Sequence, residues 1–398
     1  MTNALLTVEE QLTLKKSHRT VKGLYFFYFA GVGTFFPFLS VYYLSLGLSG
    51  TQIGLINTLG PLVGIFSTTL WGVLSDRFGK TRVLLAVATL GAMLAVTGLS
   101  RAQTFAWILP AACSLALFNS TFIPLMDSTT LSLLGDQRER YGVFRVWGTV
   151  GFILTSAAIG LIYTRFGLPT MFKVYFAVLI LFLITSIGMP DQPIRLHGSL
   201  IYGLKEMLRQ PAWVLFAVSV FLLWVASSGA LAFFSLAIQA LGGSDQLIGL
   251  SWTTAAITEL PVFFFSAVLL RKFGAVRLLF IAFIGYILRI LSYGLMPSPG
   301  WAPVVNLLNC VSYVPFWLGA VSYANQLASP SLKATAQGLL FAVLNLSNVS
   351  GALFSGWLFD QVGPAHLFFV LSGFAVAGFL LFSLGHLLFR QRPAESLR

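Results

Sequence analysis

Charge is what this sequence has least of. Of its 398 residues only 9% are Asp, Glu, Lys or Arg, against 57% hydrophobic. A soluble globular chain carries roughly 25% charged residues. So few charges argue against a water-facing surface and for a membrane as the surrounding solvent. The mean hydropathy of +0.87 points the same way. Cysteine is nearly missing too: Cys113 and Cys310 each lie inside an apolar run. That argues against a disulfide framework or a thiolate metal site. No Gly-x-x-x-x-Gly-Lys-Ser/Thr run is present, which disfavours an ATP-driven pump. There is no catalytic triad and no cluster of metal-ligating side chains, so an enzyme, a metal and a cofactor are not expected. The first 21 residues are polar and basic, without a short apolar core and cleavage site, so no signal peptide is expected. The net charge of +12 does not indicate nucleic acid, because the basic residues are spread over many short loops.

What the chain does have is Phe (37), Gly (37), Trp (9) and Tyr (12). Gly is frequent in membrane helices, and Trp and Tyr suit their interfacial ends. A spanning helix needs about 20 largely apolar residues. Twelve such spans are expected, near 22–46, 51–74, 82–100, 105–133, 141–164, 170–189, 211–239, 247–270, 276–296, 301–326, 335–358 and 364–388. Counting Arg145 at a span edge, every lysine and arginine apart from Arg101, Arg165, Lys173 and Arg289 falls in the N-terminal tail, at the even-numbered connections or in the C-terminal tail. By the positive-inside rule both termini are then cytoplasmic. The expected organisation is a tail (1–21), a six-helix bundle (22–189), a cytoplasmic linker (190–210), a second six-helix bundle (211–388) and a tail (389–398). A short amphipathic helix is expected in the linker.

An internal repeat supports the two halves. Gly54, Gly79 and Arg82 recur 195 positions later as Gly249, Gly274 and Arg277. Gly142, Gly160 and Gly167 recur 196 positions later as Gly338, Gly356 and Gly363. Two similar offsets at matching places suit a transporter built from parallel repeats.

The connection "GVLSDRFGKTR" gathers charge between two apolar runs: Gly72, Asp76, Arg77, Gly79, Lys80 and Arg82. The glycines permit close helix approach and a tight turn. Asp76 is placed to pair with a cation or a helix N-terminus, although a simple positive-inside loop explains the same residues. This pattern resembles the loop between spans two and three of the major facilitator superfamily. The resemblance implies an all-α membrane protein of twelve helices in two pseudo-symmetric six-helix bundles. It also implies that this loop is a conformational latch. The second-half counterpart, "VLLRKFGAVR", lacks an acid at the place of Asp76.

Four charges sit within apolar runs: Asp127, Arg145, Glu259 and Arg289. Such a charge costs at least about 2.5 kcal/mol to place in the hydrocarbon, so each is expected to face a partner, the bundle interior or water. Asp127 and Arg145 lie on neighbouring antiparallel spans at similar depth. They form either a structural ion pair or a site for a polar or anionic solute, with Arg145 offering a planar fork. Asn119 and Trp147 are placed to contribute an amide and a ring. Glu259 and Arg289 form the second such pair. Burial disfavours a carboxylate charge and a guanidinium favours it, so an acid between those pulls is suited to carry a proton; a static pair is the other reading. Asn306, Asn309 and Tyr313 recur at helical spacing and are expected to line a cavity. Asp360 is expected near the extracellular surface.

"YGVFRVWGTVGFILTSAAIG" and "ITELPVFFFSAVLLRKFG" resemble the phenylpropionate permease group and, more distantly, the lactose and nucleoside proton symporters. The resemblance implies solute roles for Asp127 and Arg145, and proton roles for Glu259 and Arg289. Span ten holds no acid or histidine, unlike the lactose branch. Together these readings give a secondary transporter of a small organic solute (an aromatic acid, a sugar or a nucleoside) working as a proton symporter. A proton-antiporting exporter, a uniporter and a non-transporting receptor stay open. The expected partners are solute, protons and the lipid bilayer, without nucleic acid. The chain is expected to be a monomer, multi-pass in a bacterial inner membrane.

Overall fold

The computed structural model describes residues 8–78, 80–135, 137, 140–190, 204–329 and 332–389. In chain order the helices are α1 (Val8–Ser45), α2 (Gly50–Phe78), α3 (Thr81–Arg101), α4 (Phe105–Asn119), α5 (Phe122–Leu134), α6 (Tyr141–Phe166) and α7 (Thr170–Ser186). They continue with α8 (Leu204–Leu208), α9 (Pro211–Ala240), α10 (Asp245–Phe264), α11 (Ser266–Gly294), α12 (Ala302–Val305), α13 (Asn309–Leu327) and α14 (Lys333–Phe389). The described residues form no β-sheet.

The twelve expected spans fall on these helices, and the departures have local causes. Span four is broken into α4 and α5 at Ser120 and Thr121. Pro124 has no N–H to give the Ser120 carbonyl, and its ring crowds that turn. The α11 and α14 segments each join two helical stretches across a sharp turn, at Gly274 (φ 73°) and Gly363 (φ 75°). Both are left-handed positions that glycine adopts without a Cβ clash, and both belong to the internal repeat. Helix α1 starts at Val8, well inside the expected tail, because no Gly or Pro interrupts the chain before Gly23. In the linker the described helix is α8, five residues long.

The chain forms two compact units. Unit 1 comprises Met1–Leu48, Leu59–His197 and Gly243–Ala256, and unit 2 comprises Ser49–Thr58, Gly198–Gly242 and Ile257–Arg398. In unit 1, α1 packs on α6 and α7, and α3 packs on α4 and α7. Tyr25, Phe38 and Tyr163 are buried there, with the Tyr163 hydroxyl donating to the Thr34 carbonyl at 2.7 Å. In unit 2, α9 packs along α14, and α11 packs on α13 and α14. Exposed positions carry large apolar side chains, among them Phe66 (75% exposed), Leu94 (76%) and Phe264 (82%). Helices satisfy their own backbone groups, so these positions can meet hydrocarbon.

The units do not follow chain order alone, and the repeat glycines are the reason. Within unit 2, a Cβ added to Gly54 would stand 2.4 Å from the Ala352 carbonyl oxygen, and one on Gly356 2.4 Å from that of Gly50. Within unit 1, a Cβ on Gly249 would stand 2.3 Å from the Ser156 oxygen, and one on Gly160 2.6 Å from that of Asp245. Backbone meets backbone at both crossings, which only residues without side chains allow.

Candidate functional site

In unit 1 the polar cluster centres on Asp127, which the register of α5 turns toward α1 and the start of α6. Its Oδ1 accepts hydrogen bonds from the Tyr25 hydroxyl at 2.5 Å and the Tyr141 hydroxyl at 2.9 Å. Thr130, one turn along α5, lies 3.2 Å from the Tyr25 hydroxyl. Arg145 does not pair with Asp127. Its guanidinium lies over the Phe29 ring, 4.0 Å from the centroid, and 5.7 Å from that of Tyr25. Gly148, three residues on, makes room: a Cβ there would be 2.9 Å from the Arg145 Nη1. A guanidinium resting on a ring keeps its in-plane donors available, because the ring engages only its face. Asn119 accepts from the Tyr175 hydroxyl at 3.2 Å and so belongs to the α4–α7 contact. Trp147 is 43% exposed and joins no ring contact or hydrogen bond of the cluster among the described residues.

The second cluster, in unit 2, is more deeply buried. Arg289 is 6% exposed. Its Nε donates to the Tyr293 hydroxyl at 2.6 Å and its Nη2 to Asn306 Oδ1 at 3.2 Å. Its Nη1 donates to Asn309 Oδ1 and, at 3.5 Å, to Ser312 Oγ. Tyr293 in turn donates to Asn306 Oδ1 at 2.5 Å. Asn309 Nδ2 donates to Glu259 Oε1 at 2.7 Å. Asn309 thus stands between the acid and the base. Aromatic rings line the region: Tyr293 lies 4.6 Å from Phe234, and Trp224 stacks on Phe316 at 4.7 Å. Tyr313 packs edge-on against Trp317, with centroids 6.2 Å apart.

The structure therefore brings together Asp127 with Tyr141, and Glu259 with Arg289, Asn306 and Asn309. It leaves Trp147 and Asn119 outside the Asp127 cluster. Sequence reading missed Tyr25, Thr130, Tyr293 and Ser312. Helical register offered a signal for three of them: Tyr293 follows Arg289 by one turn, Thr130 follows Asp127, and Ser312 follows Asn309. Tyr25 had none, since it reaches Asp127 across more than a hundred residues of chain. In the charged connection, Gly72, Asp76 and Arg77 continue α2 by backbone, but their side chains, and Gly79 altogether, lie outside the described residues. Lys80 is exposed ahead of α3. Arg82 donates to the Ile187 carbonyl at 3.5 Å, at the C-terminal end of α7, where a cation suits the helix dipole. Among the described residues no group of His, Cys, Asp or Glu is arranged to hold a metal.

The comparisons with known proteins agree with this architecture. The model of the MFS_1 like family matches residues 18–370. The maltose permease of Geobacillus stearothermophilus is 30% identical over 358 residues, covering 87% of this chain and 89% of that protein. The probable 3-phenylpropionic acid transporter of Escherichia coli strain K12 is 27% identical over 373 residues, covering 90% and 95%. The crystal structure of the nucleoside transporter NupG superposes with a TM-score of 0.82 at 16% identity, covering 92% of this chain and 98% of that one. These relatives do not single out one group of the superfamily. The fold, the matched family and the multi-pass apolar helices make the chain a member of the MFS_1 like family, a membrane carrier of the major facilitator superfamily and not an enzyme.

Proposed function

We propose that this carrier moves a small organic solute across a bacterial inner membrane together with protons, by alternating access of its two six-helix halves. The chemistry of the clusters supports a division of labour. Arg145, lying on the Phe29 ring with its donor edge uncommitted to Asp127, receives an anionic or polar group of the solute. Asp127, fixed by Tyr25 and Tyr141, orients the solute's hydroxyl or amine groups. Glu259 carries the proton, with Arg289 as its electrostatic counterweight. The charged connection from Gly72 to Arg82 acts as the latch, and both termini face the cytoplasm.

One observation carries the proton assignment. Arg289 is buried in an apolar span and donates to neutral oxygens, with the Glu259 carboxylate one hydrogen bond farther on. A purely structural pair gains most from direct bidentate contact. An acid reached through a neutral amide can change its proton state without breaking a direct bond to the guanidinium.

Relatives whose names include maltose, 3-phenylpropionic acid and nucleosides set the range of solutes to test. Within it, Arg145 favours one with a carboxylate. The test is flux into proteoliposomes of radiolabelled 3-phenylpropionate, maltose and uridine, with and without an inside-alkaline pH gradient. The gradient is expected to drive accumulation of one of them, and Glu259→Gln to remove that drive. A well-folded Glu259→Gln protein with unchanged proton dependence would remove Glu259 from the mechanism. Accumulation driven by the opposite gradient would make the chain an exporter.

A further inference from the structure

Asn309 is hydrogen-bonded to both Glu259 and Arg289. An amide has two unlike ends: an oxygen that only accepts and a nitrogen that only donates. Arg289 is donor-only, so the amide oxygen must face it. The nitrogen is then turned toward Glu259, and an ionised carboxylate is an acceptor only. The orientation of Asn309 is fixed by its partners on both sides. Turning the amide over would set donor against donor at Arg289 and acceptor against acceptor at Glu259.

This geometry responds to one proton. When Glu259 is protonated, one of its oxygens becomes a donor. That hydroxyl can then donate to the second lone pair of the same amide oxygen and weaken its bond to Arg289 Nη1, while the remaining Glu259 carbonyl is a weaker acceptor for Nδ2. Arg289 has other acceptors within reach in Asn306, Ser312 and Tyr293. Weakening of the Asn309 bond therefore shifts the guanidinium toward those groups without leaving it bare. Asn306 is already shared by Arg289 and Tyr293, so the shift passes on to a second helix turn.

We infer that Asn309 is a positioning residue that transmits the proton state of Glu259 to Arg289. This rests on the reading of Glu259 as the proton carrier but deepens it, since it names the group through which the base learns of the acid's charge. The titratable groups clustered around Glu259 are Arg289, Tyr286 and Tyr293 on α11, and Tyr313 on α13. The tyrosines stay neutral at working pH, so acid and guanidinium are the pair to follow.

The test needs no solute. Purified protein in liposomes is titrated with pH while infrared difference spectra are recorded. Glu259→Gln identifies the carboxyl C=O band, and Arg289→Lys identifies the guanidinium C–N bands. In the wild type the guanidinium bands are expected to change with the same midpoint as the carboxyl band, and Glu259→Gln is expected to abolish both changes. In Asn309→Leu the carboxyl band still titrates but the guanidinium bands no longer follow. Should Asn309→Leu fail to reach the membrane, Asn309→Ser serves the same purpose, because one short hydroxyl cannot span both partners in this geometry. Guanidinium bands that still track the carboxyl band in a folded Asn309 variant overturn the inference, as do wild-type guanidinium bands that ignore it. A chain that moves no solute with protons defeats the proposed symport, yet the spectra still decide the role of Asn309.

Discussion

Asp127 and Glu259 are both acids set into apolar helices, and each has an arginine on the helix that follows. They are held in opposite ways. In unit 1 the acid is tied, its Oδ1 taking two phenol hydroxyls, while Arg145 rests on a ring. In unit 2 the arginine is tied, donating to Tyr293, Asn306, Asn309 and Ser312, and the acid is reached through Asn309. The difference follows burial. Arg289 is almost wholly enclosed, and a guanidinium brings five donors that must find acceptors away from water. Arg145 is only half-buried, so stacking on the Phe29 ring suffices. The same residue type is enclosed by acceptors in one unit and stacked on a ring in the other.

Substitutions can break that contrast. The largest effect is expected from Arg289→Ala, which strands Glu259 in an apolar helix and removes a donor from both asparagines. Losing one partner of a buried charged network costs about 3–5 kcal/mol. Arg145→Ala removes a ring contact worth about 1 kcal/mol. Unfolding of the two purified variants in mixed micelles measures both, and equal losses would erase the distinction.

Next comes the glycine crossing in unit 2. Gly356→Leu forces a side chain against the Gly50 carbonyl and is expected to destabilise by about 1–3 kcal/mol or more, as overpacking does. Gly98→Leu on α3 meets open space and should be neutral or gain up to about 1 kcal/mol of helix propensity. Thermal midpoints in one detergent compare the pair directly.

The two crossings differ in a smaller way. At the unit 2 crossing, Asp360 caps the start of α2, accepting from the Gly50 N–H at 2.6 Å, the Thr51 N–H at 2.8 Å and the Thr51 hydroxyl at 2.6 Å. The repeat places Thr164 at the matching position in unit 1, where its hydroxyl turns back to the Gly160 carbonyl at 2.9 Å. Asp360→Ala should therefore lose about 1 kcal/mol, a typical cap, and Thr164→Ala almost nothing. A melting series over salt concentration sharpens this, because the charged cap is exposed and screened. The smallest change is expected for Tyr25→Phe, about 0.6 kcal/mol, the average for a polar contact between membrane helices. Its effect should instead appear in solute affinity, by freeing Asp127 to move; unchanged affinity with Asp127→Asn strongly impaired would show that Tyr25 does not position the acid.

Much of the fold was legible because a membrane simplifies the code. Apolar length and basic loops locate helices wherever the solvent is hydrocarbon, so the twelve spans could be read directly, and the repeat singled out Gly274 and Gly363, which turn α11 and α14. The break between α4 and α5 was foreshadowed only by Pro124. Of the candidate sites, Asp127, Arg145, Glu259 and Arg289 stood out because charge is costly there. Their pairing was harder. Sequence proximity suggested Asp127 with Arg145, but Tyr25 arrives from α1 and takes the acid, and that depends on how α1 lies against α5 and α6. Asn309 was expected to line a cavity, and its two-ended contact depends on the packing of α10, α11 and α13.

By itself the sequence determined that the chain is a multi-span helical carrier, about where its apolar spans lie, and which charges are too expensive to be incidental. These are properties of segments, set by transfer of side chains and backbone from water to lipid. The tertiary structure decided which hydroxyl or amide each charge meets, and which glycines meet across α2, α6, α10 and α14. Hydrogen bonds act over less than a helix radius, so their partners are fixed only when helices distant in the chain are docked to within a fraction of an ångström.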